Sequence, residues 1–107
     1  MDKKLTFSPE LYLGEGIKKQ KLDKIKRKLT EKPLFAGVYV LALARNPDDQ
    51  LEIMDAKQLA QRFYESHTLH IIGIARDYED ALRLVERIVQ ECMDKRGDCK
   101  LKEYLIC

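Results

Sequence analysis

Lysine and arginine side chains crowd one short segment of the chain, residues 17–31. If these residues form a helix, Ile17, Leu22, Ile25 and Leu29 lie on one side and the cations on the other. A row of cations on an exposed helix face can contact the phosphates of DNA or RNA, releasing the counterions bound there. The residues that would make these contacts are Lys18, Lys21, Lys24, Lys26, Arg27 and Lys28.

Two other interpretations of this basic helix stay open. A solvated cationic face keeps a small protein soluble, and the same face could dock on an acidic protein partner. The segment has no aromatic side chain between its cations for stacking on bases, and lysine far outnumbers arginine. Nucleic-acid binding is therefore the alternative function, behind a non-catalytic protein-interaction or regulatory module.

A second group of candidate residues is acidic. Pro47 with Asp48, and Asp55 with Lys57, resemble the pattern of metal-dependent nucleases, in which two carboxylates hold a divalent cation beside a lysine. Here the two carboxylates are about six residue rises apart along one predicted strand, which is too far for a shared ion. The same residues have roles without a metal: Asp48 as a turn residue, Glu52 as an exposed strand residue and Asp55 as a helix cap. A metal-dependent hydrolase is thus the third and least favoured function.

The spacing of histidine and cysteine does not indicate a metal site. His67 and His70 are three residues apart at the start of a predicted strand and point to opposite faces. Cys92 lies on an apolar helical stripe, as a small core residue would, whereas Cys99 and Cys107 are predicted to be exposed thiols. We expect no metal, no cofactor and no catalytic residue in this chain.

Residues 1–16 are predicted to form an N-terminal arm that packs on the rest of the protein. Ser8 followed by Pro9 indicates one helical turn, which Gly14 and Gly16 then break. Glycines ahead of a lysine-bearing helix could hold a phosphate at the helix N-terminus. Because no strand precedes them and the full glycine pattern is missing, we interpret them as a break between two helical segments.

Residues 34–107 are predicted to form the folded core. The apolar run 34–44 is too short to span a membrane and is typical of a strand that is covered on both faces. Turn residues at 46–48 connect it to a half-exposed edge strand at 51–54, so that the two strands form a hairpin. A second apolar run, 69–75, is the third strand.

Two amphipathic helices alternate with these strands. Asp55 and Gln58 have the spacing of a capping box at the start of one helix. Asp77 is the predicted N-cap of the longest helix, which ends at Gly97. The remaining tail is predicted to be a short docked helix, with a strand as the alternative.

The element order helix-strand-strand-helix-strand-helix predicts one α/β (α+β) domain over residues 1–107, a two-layer sandwich on a three-stranded mixed sheet. A right-handed crossover between the second and third strands would place 34–44 at the centre and leave 69–75 at the edge. An exposed apolar edge needs cover. We therefore expect a homodimer or a protein partner at this edge, contacting Leu69, Ile71, Ile72 and Ile74.

Composition places the chain among ordinary globular proteins: 107 residues, 45% hydrophobic, 36% charged and a net charge of +2. No apolar stretch approaches the length of a membrane span, and the N-terminal lysines are not followed by the apolar stretch of a signal peptide. Three cysteines without a C-x-x-C pair favour a reducing compartment. The predicted location is the cytoplasm.

Three segments of the chain resemble a group of short uncharacterised bacterial proteins. They are Glu10–Glu15, Asp49–Ile53, and Ile72–Ala75 together with Tyr78–Ala81. The resemblance covers most of the chain. It implies a bacterial cytoplasmic protein and no particular activity.

Overall fold

The computed structural model describes residues 5–43, 50–62 and 69–106. The strands are β1 (Leu5–Leu13), β2 (Tyr39–Leu43), β3 (Leu51–Asp55) and β4 (Leu69–Ala75). The helices are α1 (Leu22–Glu31), α2 (Ala56–Arg62), α3 (Tyr78–Arg96) and α4 (Leu101–Ile106). Short 3-10 turns at Lys19–Lys21 and Pro33–Phe35 lie immediately before and after α1.

The four strands form one mixed sheet in the order β1-β4-β2-β3. The predicted hairpin is confirmed: β2 pairs antiparallel with β3, from Tyr39 opposite Asp55 to Leu43 opposite Leu51. On its other side β2 pairs antiparallel with β4. The turn predicted at 46–48 lies outside the described residues.

β1 is the main correction to the predicted fold. The segment that we expected to contain a helical turn is a nine-residue strand, paired in parallel with β4 from Leu5 opposite Leu69 to Leu13 opposite Ile74. The sheet therefore has four strands rather than three, and β4 is an inner strand rather than an exposed edge. Pro9 fits this outer strand because it lies in an irregular stretch between Phe7 and Tyr12, where the ladder is interrupted.

β4 explains how one apolar run can serve both faces of the sheet. The register with β2 places Ile71 opposite Ala42 but Gly73 opposite Leu41, so that Ile72 is an extra, bulged residue. The bulge shifts the alternation of side chains by one residue, so that Ile71 and Ile74, three positions apart, belong to the same hydrophobic cluster, whereas Ile72 belongs to the other.

Helices cover both faces of the sheet, which makes three layers instead of the predicted two. On one face, α1 and α2 pack over a cluster that includes Val40 and Ala42. On the other face, α3 and α4 pack over a cluster that includes Leu41 and Ile72. Neighbouring residues of β2 are thus buried in opposite directions, and such a strand requires apolar cover on both sides.

The central strand begins later than expected. The apolar run predicts a strand from residue 34, but Pro33–Phe35 is a 3-10 turn and β2 starts at Tyr39. Gly37 has a φ of 67°, a left-handed conformation that glycine adopts readily. Leu34 and Phe35, in the 3-10 turn before it, are 56% and 72% exposed.

The helix caps are confirmed. At the start of α2 the Asp55 N–H donates to Gln58 Oε1 at 2.9 Å, and at the start of α3 the Asp80 N–H donates to Asp77 Oδ1 at 2.8 Å. Gly97, with a φ of 78°, follows α3 as its C-cap. The tail is a helix, α4, packed against α3.

One buried carboxylate links the ends of two strands to α3. Asp80 is only 1% exposed, and its Oδ2 accepts hydrogen bonds from the N–H groups of Arg76, at 2.9 Å, and Gly16, at 3.2 Å. Gly14, the residue after β1, lies so close to Asp80 that a Cβ there would be 2.2 Å from Oδ2. Gly14 and Gly16 were predicted to lie between two helical segments. They instead follow a strand, and they contact Asp80 in the first turn of α3.

We expect Asp80→Ala to be among the most damaging single changes outside the apolar core. It leaves two backbone N–H groups without their acceptor in a part-buried site, which should lower the free energy of unfolding by about 2 to 4 kcal/mol. Guanidinium denaturation followed by circular dichroism would measure the loss. Glu79→Ala, an exposed change in the same helical turn, is the control; equal losses in the two variants would contradict the assigned role.

Candidate functional site

The strongest concentration of charge on the chain lies on α1 and the 3-10 turn before it. Residues 17–32 contain eight lysines and arginines against two acids, a net charge of +6, so that the other residues together carry −4. The apolar side of α1 faces the sheet, with Leu29 fully buried and Leu22 and Ile25 packed on the same cluster. We call the cations of this segment the basic surface: Lys18, Lys19, Lys21, Lys24, Lys26, Arg27, Lys28 and Lys32.

The six residues predicted to contact nucleic acid all belong to the basic surface. Lys18, Lys21, Lys24 and Arg27 are exposed, and Lys26 and Lys28 are half-buried. The half-burial of Lys26 has a visible cause, since its Nζ lies 5.2 Å from the centroid of the Phe7 ring, a cation–π contact.

No cation of the basic surface forms an ion pair with another residue in the described part of the chain. Three of the four cations of α3 differ in this respect. Arg83 lies 3.8 Å from Asp80, Lys95 lies 3.3 Å from Glu91, and Arg96 lies 2.8 Å from Glu103. Positive charge is therefore neutralised locally on α3 and left uncompensated on α1.

Two apolar side chains lie next to the basic surface. The Lys32 N–H donates to the Lys28 carbonyl at 2.7 Å, and the Phe35 N–H donates to the Lys32 carbonyl at 2.9 Å. Phe35 and its neighbour Leu34 thus follow the last cations by one turn of backbone. Sequence reasoning missed this neighbourhood because the apolar run assigned both residues to a buried strand.

The residues predicted to form a partner interface are not on the surface. Leu69, Ile71, Ile72 and Ile74 are 4%, 0%, 1% and 0% exposed. Their strand is paired with β1 on one side and β2 on the other. The expected exposed edge is thus corrected: the chain covers this edge with its own N-terminal segment.

Those of the predicted acidic and histidine residues that the structure describes do not form a group that could hold a metal ion. Asp55 caps α2, Glu52 lies on β3, and Asp48 is outside the described residues, as is His67. His70 Nδ1 lies 2.8 Å from Thr6 Oγ1. Within the described ranges, no three His, Cys, Asp or Glu residues are grouped so that they could hold a metal ion.

The cysteine predictions can be compared with the structure at two positions. Cys92 is fully buried on α3, as expected, and Cys99 is exposed. Burial raises the pKa of the Cys92 thiol, which keeps it protonated. Its Sγ donates to the Asp98 carbonyl at 3.2 Å, so that Cys92 acts as a core residue that also stabilises the end of α3.

A second polar cluster, which sequence reasoning missed, surrounds Glu91. The hydroxyls of Tyr12 and Tyr104 donate to the same oxygen, Glu91 Oε1, at 3.2 Å and 2.5 Å, and Lys95 Nζ lies 3.3 Å from that oxygen. The bond from Tyr104 is the main reason that the pKa of Glu91 falls below its usual value. Burial is the main reason that the pKa of Tyr12 rises.

The Glu91 cluster borders a cavity of about 410 Å³ beside the irregular stretch of β1. Tyr12, Tyr104 and Lys95 all contact the same Glu91 oxygen, so that the cluster links β1, α3 and α4. We assign it to the stability of the fold. No local signal predicts it, because Tyr12 and Glu91 are 79 positions apart.

A second concave region lies beside Asp80, with a volume of about 370 Å³. Arg83, Glu86 and Arg87 line it from α3, and Gly14 and Glu15 line it from the loop after β1. Arg87 donates to the Leu13 carbonyl at 2.6 Å, and one Asp80 oxygen accepts the two N–H groups of the loops. Arg87 and Asp80 Oδ2 thereby link β1 to α3, whereas Asp80 Oδ1 is buried without a hydrogen bond, 3.8 Å from Arg83. The mixed charges of the lining residues favour no single class of ligand.

Comparisons with known proteins supply no function. No protein-family model matches the chain, and neither a curated protein nor a solved structure is significantly similar to it. Among the helices of the described ranges, none has the length and apolar character needed to cross a membrane. The resemblance to short bacterial proteins stays a prediction, and the basic surface is the site with the most distinctive chemistry.

The Glu91 cluster generates a prediction about acid stability. Because the pKa of Glu91 is lowered in the folded protein, the ionised carboxylate stabilises the fold above its unfolded pKa of about 4.3, and this stabilisation is lost as the pH falls through the folded pKa. The free energy of unfolding of the natural protein should therefore exceed that of Glu91→Gln at pH 7, with the gap narrowing in acid.

Urea denaturation of both proteins at neutral and acidic pH measures this gap. Other carboxylates titrate equally in the two proteins and cancel in the difference. Glu86→Gln, an exposed change on the same helix, is the matched control. A gap that stays constant through the acid range would show that Glu91 is not stabilised as an anion by its two tyrosines.

Proposed function

We propose that this protein is a non-catalytic nucleic-acid-binding protein that contacts the phosphate backbone through its basic surface. The single observation that carries the proposal is the absence of ion pairs at these cations within the described chain, in contrast to the paired cations of α3. Cations that form no ion pair with another described residue can bind an anionic partner without first breaking such a contact.

The geometry of α1 suits a polyanion. Its apolar residues hold the helix on the sheet, so that the backbone carrying the cations is already ordered before binding. Phosphate contacts release counterions, and the observed affinity falls with salt in proportion to the number of contacts. Lysine contacts phosphate as a point charge without selecting a base, whereas Arg27 can contact one phosphate with two N–H groups. These features favour binding that is independent of base sequence.

The protein-interaction or regulatory module stays a prediction, and so does the homodimer. The exposed edge that supported both is covered by β1. The new outer strand contains Pro9 and an interrupted ladder, and both features disfavour the addition of another strand at that edge.

We expect Lys24→Glu with Arg27→Glu to weaken binding of single-stranded and duplex oligonucleotides. If each side chain contacts one phosphate, the slope of log affinity against log salt should decrease by about 1.8 on duplex DNA and about 1.4 on a single strand. Fluorescence anisotropy of labelled oligonucleotides over a salt series measures both slopes.

The matched control is Lys57→Glu with Lys100→Glu, which changes the net charge by the same amount at exposed positions outside the basic surface. Far-ultraviolet circular dichroism verifies that α1 still forms in the double variant. Equal weakening by the two double variants would mean that only net charge matters, and absence of binding by the natural protein would refute the proposal.

A further inference from the structure

We infer that the basic surface takes single-stranded rather than duplex nucleic acid, and that Phe35 is the residue on which an unpaired base stacks. This inference rests on the proposed function and specifies its ligand. The observation behind it is a phenyl ring that is 72% exposed and lies one backbone turn beyond Lys32, at the end of the basic surface.

The ring is carried by an ordered backbone. Phe35 donates its N–H to the Lys32 carbonyl, and Ala36 donates to the Pro33 carbonyl at 3.2 Å. Pro33 itself is buried, which fixes the 3-10 turn on the body of the protein, and this turn also packs against α1 and α2. The backbone that carries the ring is therefore ordered before binding, which lowers the entropic cost when a base stacks on the ring.

Charge and ring follow one another along the chain in the order that a single strand requires. Lys28, Lys32 and Phe35 are connected by consecutive backbone hydrogen bonds. In the proposed complex, the phosphates of a strand lie on the two lysines and its next unpaired base lies on the ring. Sequence-independent proteins that bind single strands combine the same two parts, cations along the backbone and an aromatic platform for the bases.

Duplex DNA cannot use this ring in the same way. Its bases are stacked on one another, and their faces are closed to a side chain unless the duplex is kinked or opened. An unpaired base has a free face, and stacking on an aromatic side chain strengthens binding by about fivefold or more. Phe35 should therefore add affinity for single strands and little for duplexes.

An anionic membrane is the other polyanion that a basic helix with exposed apolar neighbours could meet. Helices that lie on membranes insert their own apolar face among the lipids. The apolar face of α1, formed by Leu22, Ile25 and Leu29, is turned to the sheet instead. Only Leu34 and Phe35 would be left to insert, beside eight cations, and this arrangement favours the single strand.

The test compares a labelled single-stranded oligonucleotide with an abasic strand of the same length, which keeps the phosphates but lacks the bases. Phe35→Ala should weaken binding of the normal strand by about fivefold or more and leave binding of the abasic strand and of a duplex unchanged. Phe35→Tyr, which keeps a ring, should retain the affinity. Phe35→Leu, which keeps only apolar character, should not.

Leu82→Ala is the matched control, because Leu82 is an exposed apolar residue, 40% accessible, on the helix that covers the opposite face of the sheet. Unchanged thermal unfolding of each variant verifies that the fold is intact. If Phe35→Ala leaves binding of the normal strand unchanged, the stacking role is wrong while phosphate binding by the basic surface stands.

Two further outcomes separate the inference from the proposed function. If the natural protein binds neither the normal nor the abasic strand, the proposed function fails and the inference fails with it. If the protein instead co-sediments with vesicles of phosphatidylcholine and phosphatidylserine, and Phe35→Leu preserves this while Phe35→Ala abolishes it, the ligand is a membrane and the inference is overturned.

Discussion

The buried carboxylate of Asp80 is the contact on which the arrangement of this protein depends. It accepts N–H groups from the residue after β4 and from the loop after β1, while its own N–H donates to Asp77 at the start of α3. Three elements from distant parts of the chain thereby meet at one side chain. The close approach of Gly14 to this carboxylate leaves no room for a Cβ.

Placing β1 against β4 has consequences for both faces of the molecule. It makes the apolar strand β4 an inner strand, so that the side chains of Leu69, Ile71, Ile72 and Ile74 are buried within the chain. It also provides part of the apolar surface under α1, since Leu5 belongs to the cluster that buries Leu29. The ordered position of the basic helix is therefore a result of the same strand pairing that removes the expected docking edge.

The two sides of the sheet differ in how their charges are compensated. On α3 and α4, cations and acids alternate and pair, as in Arg96 with Glu103 and Lys95 with Glu91. On α1, cations stand without such partners among the described residues. Like charges close together repel one another, and an external anion that binds to such a helix lowers this electrostatic repulsion. This asymmetry is the physical basis of the proposed phosphate contacts, and the exposed ring of Phe35 lies on the same side.

The sequence by itself determined the features that depend on near neighbours: the caps at Asp55, Asp77 and Gly97, the amphipathic spacing of α1 with its six candidate cations, and the β2–β3 hairpin. Each depends on residues a few positions apart or on the regular period of a helix or strand. Only the tertiary structure decided that the segment with Pro9 is a strand and that Phe35 is exposed beside the cations. It also decided that β1, α3 and α4 meet around Glu91. These features depend on partners more than sixty positions away or on which face another element covers, and local propensity carries no information about either.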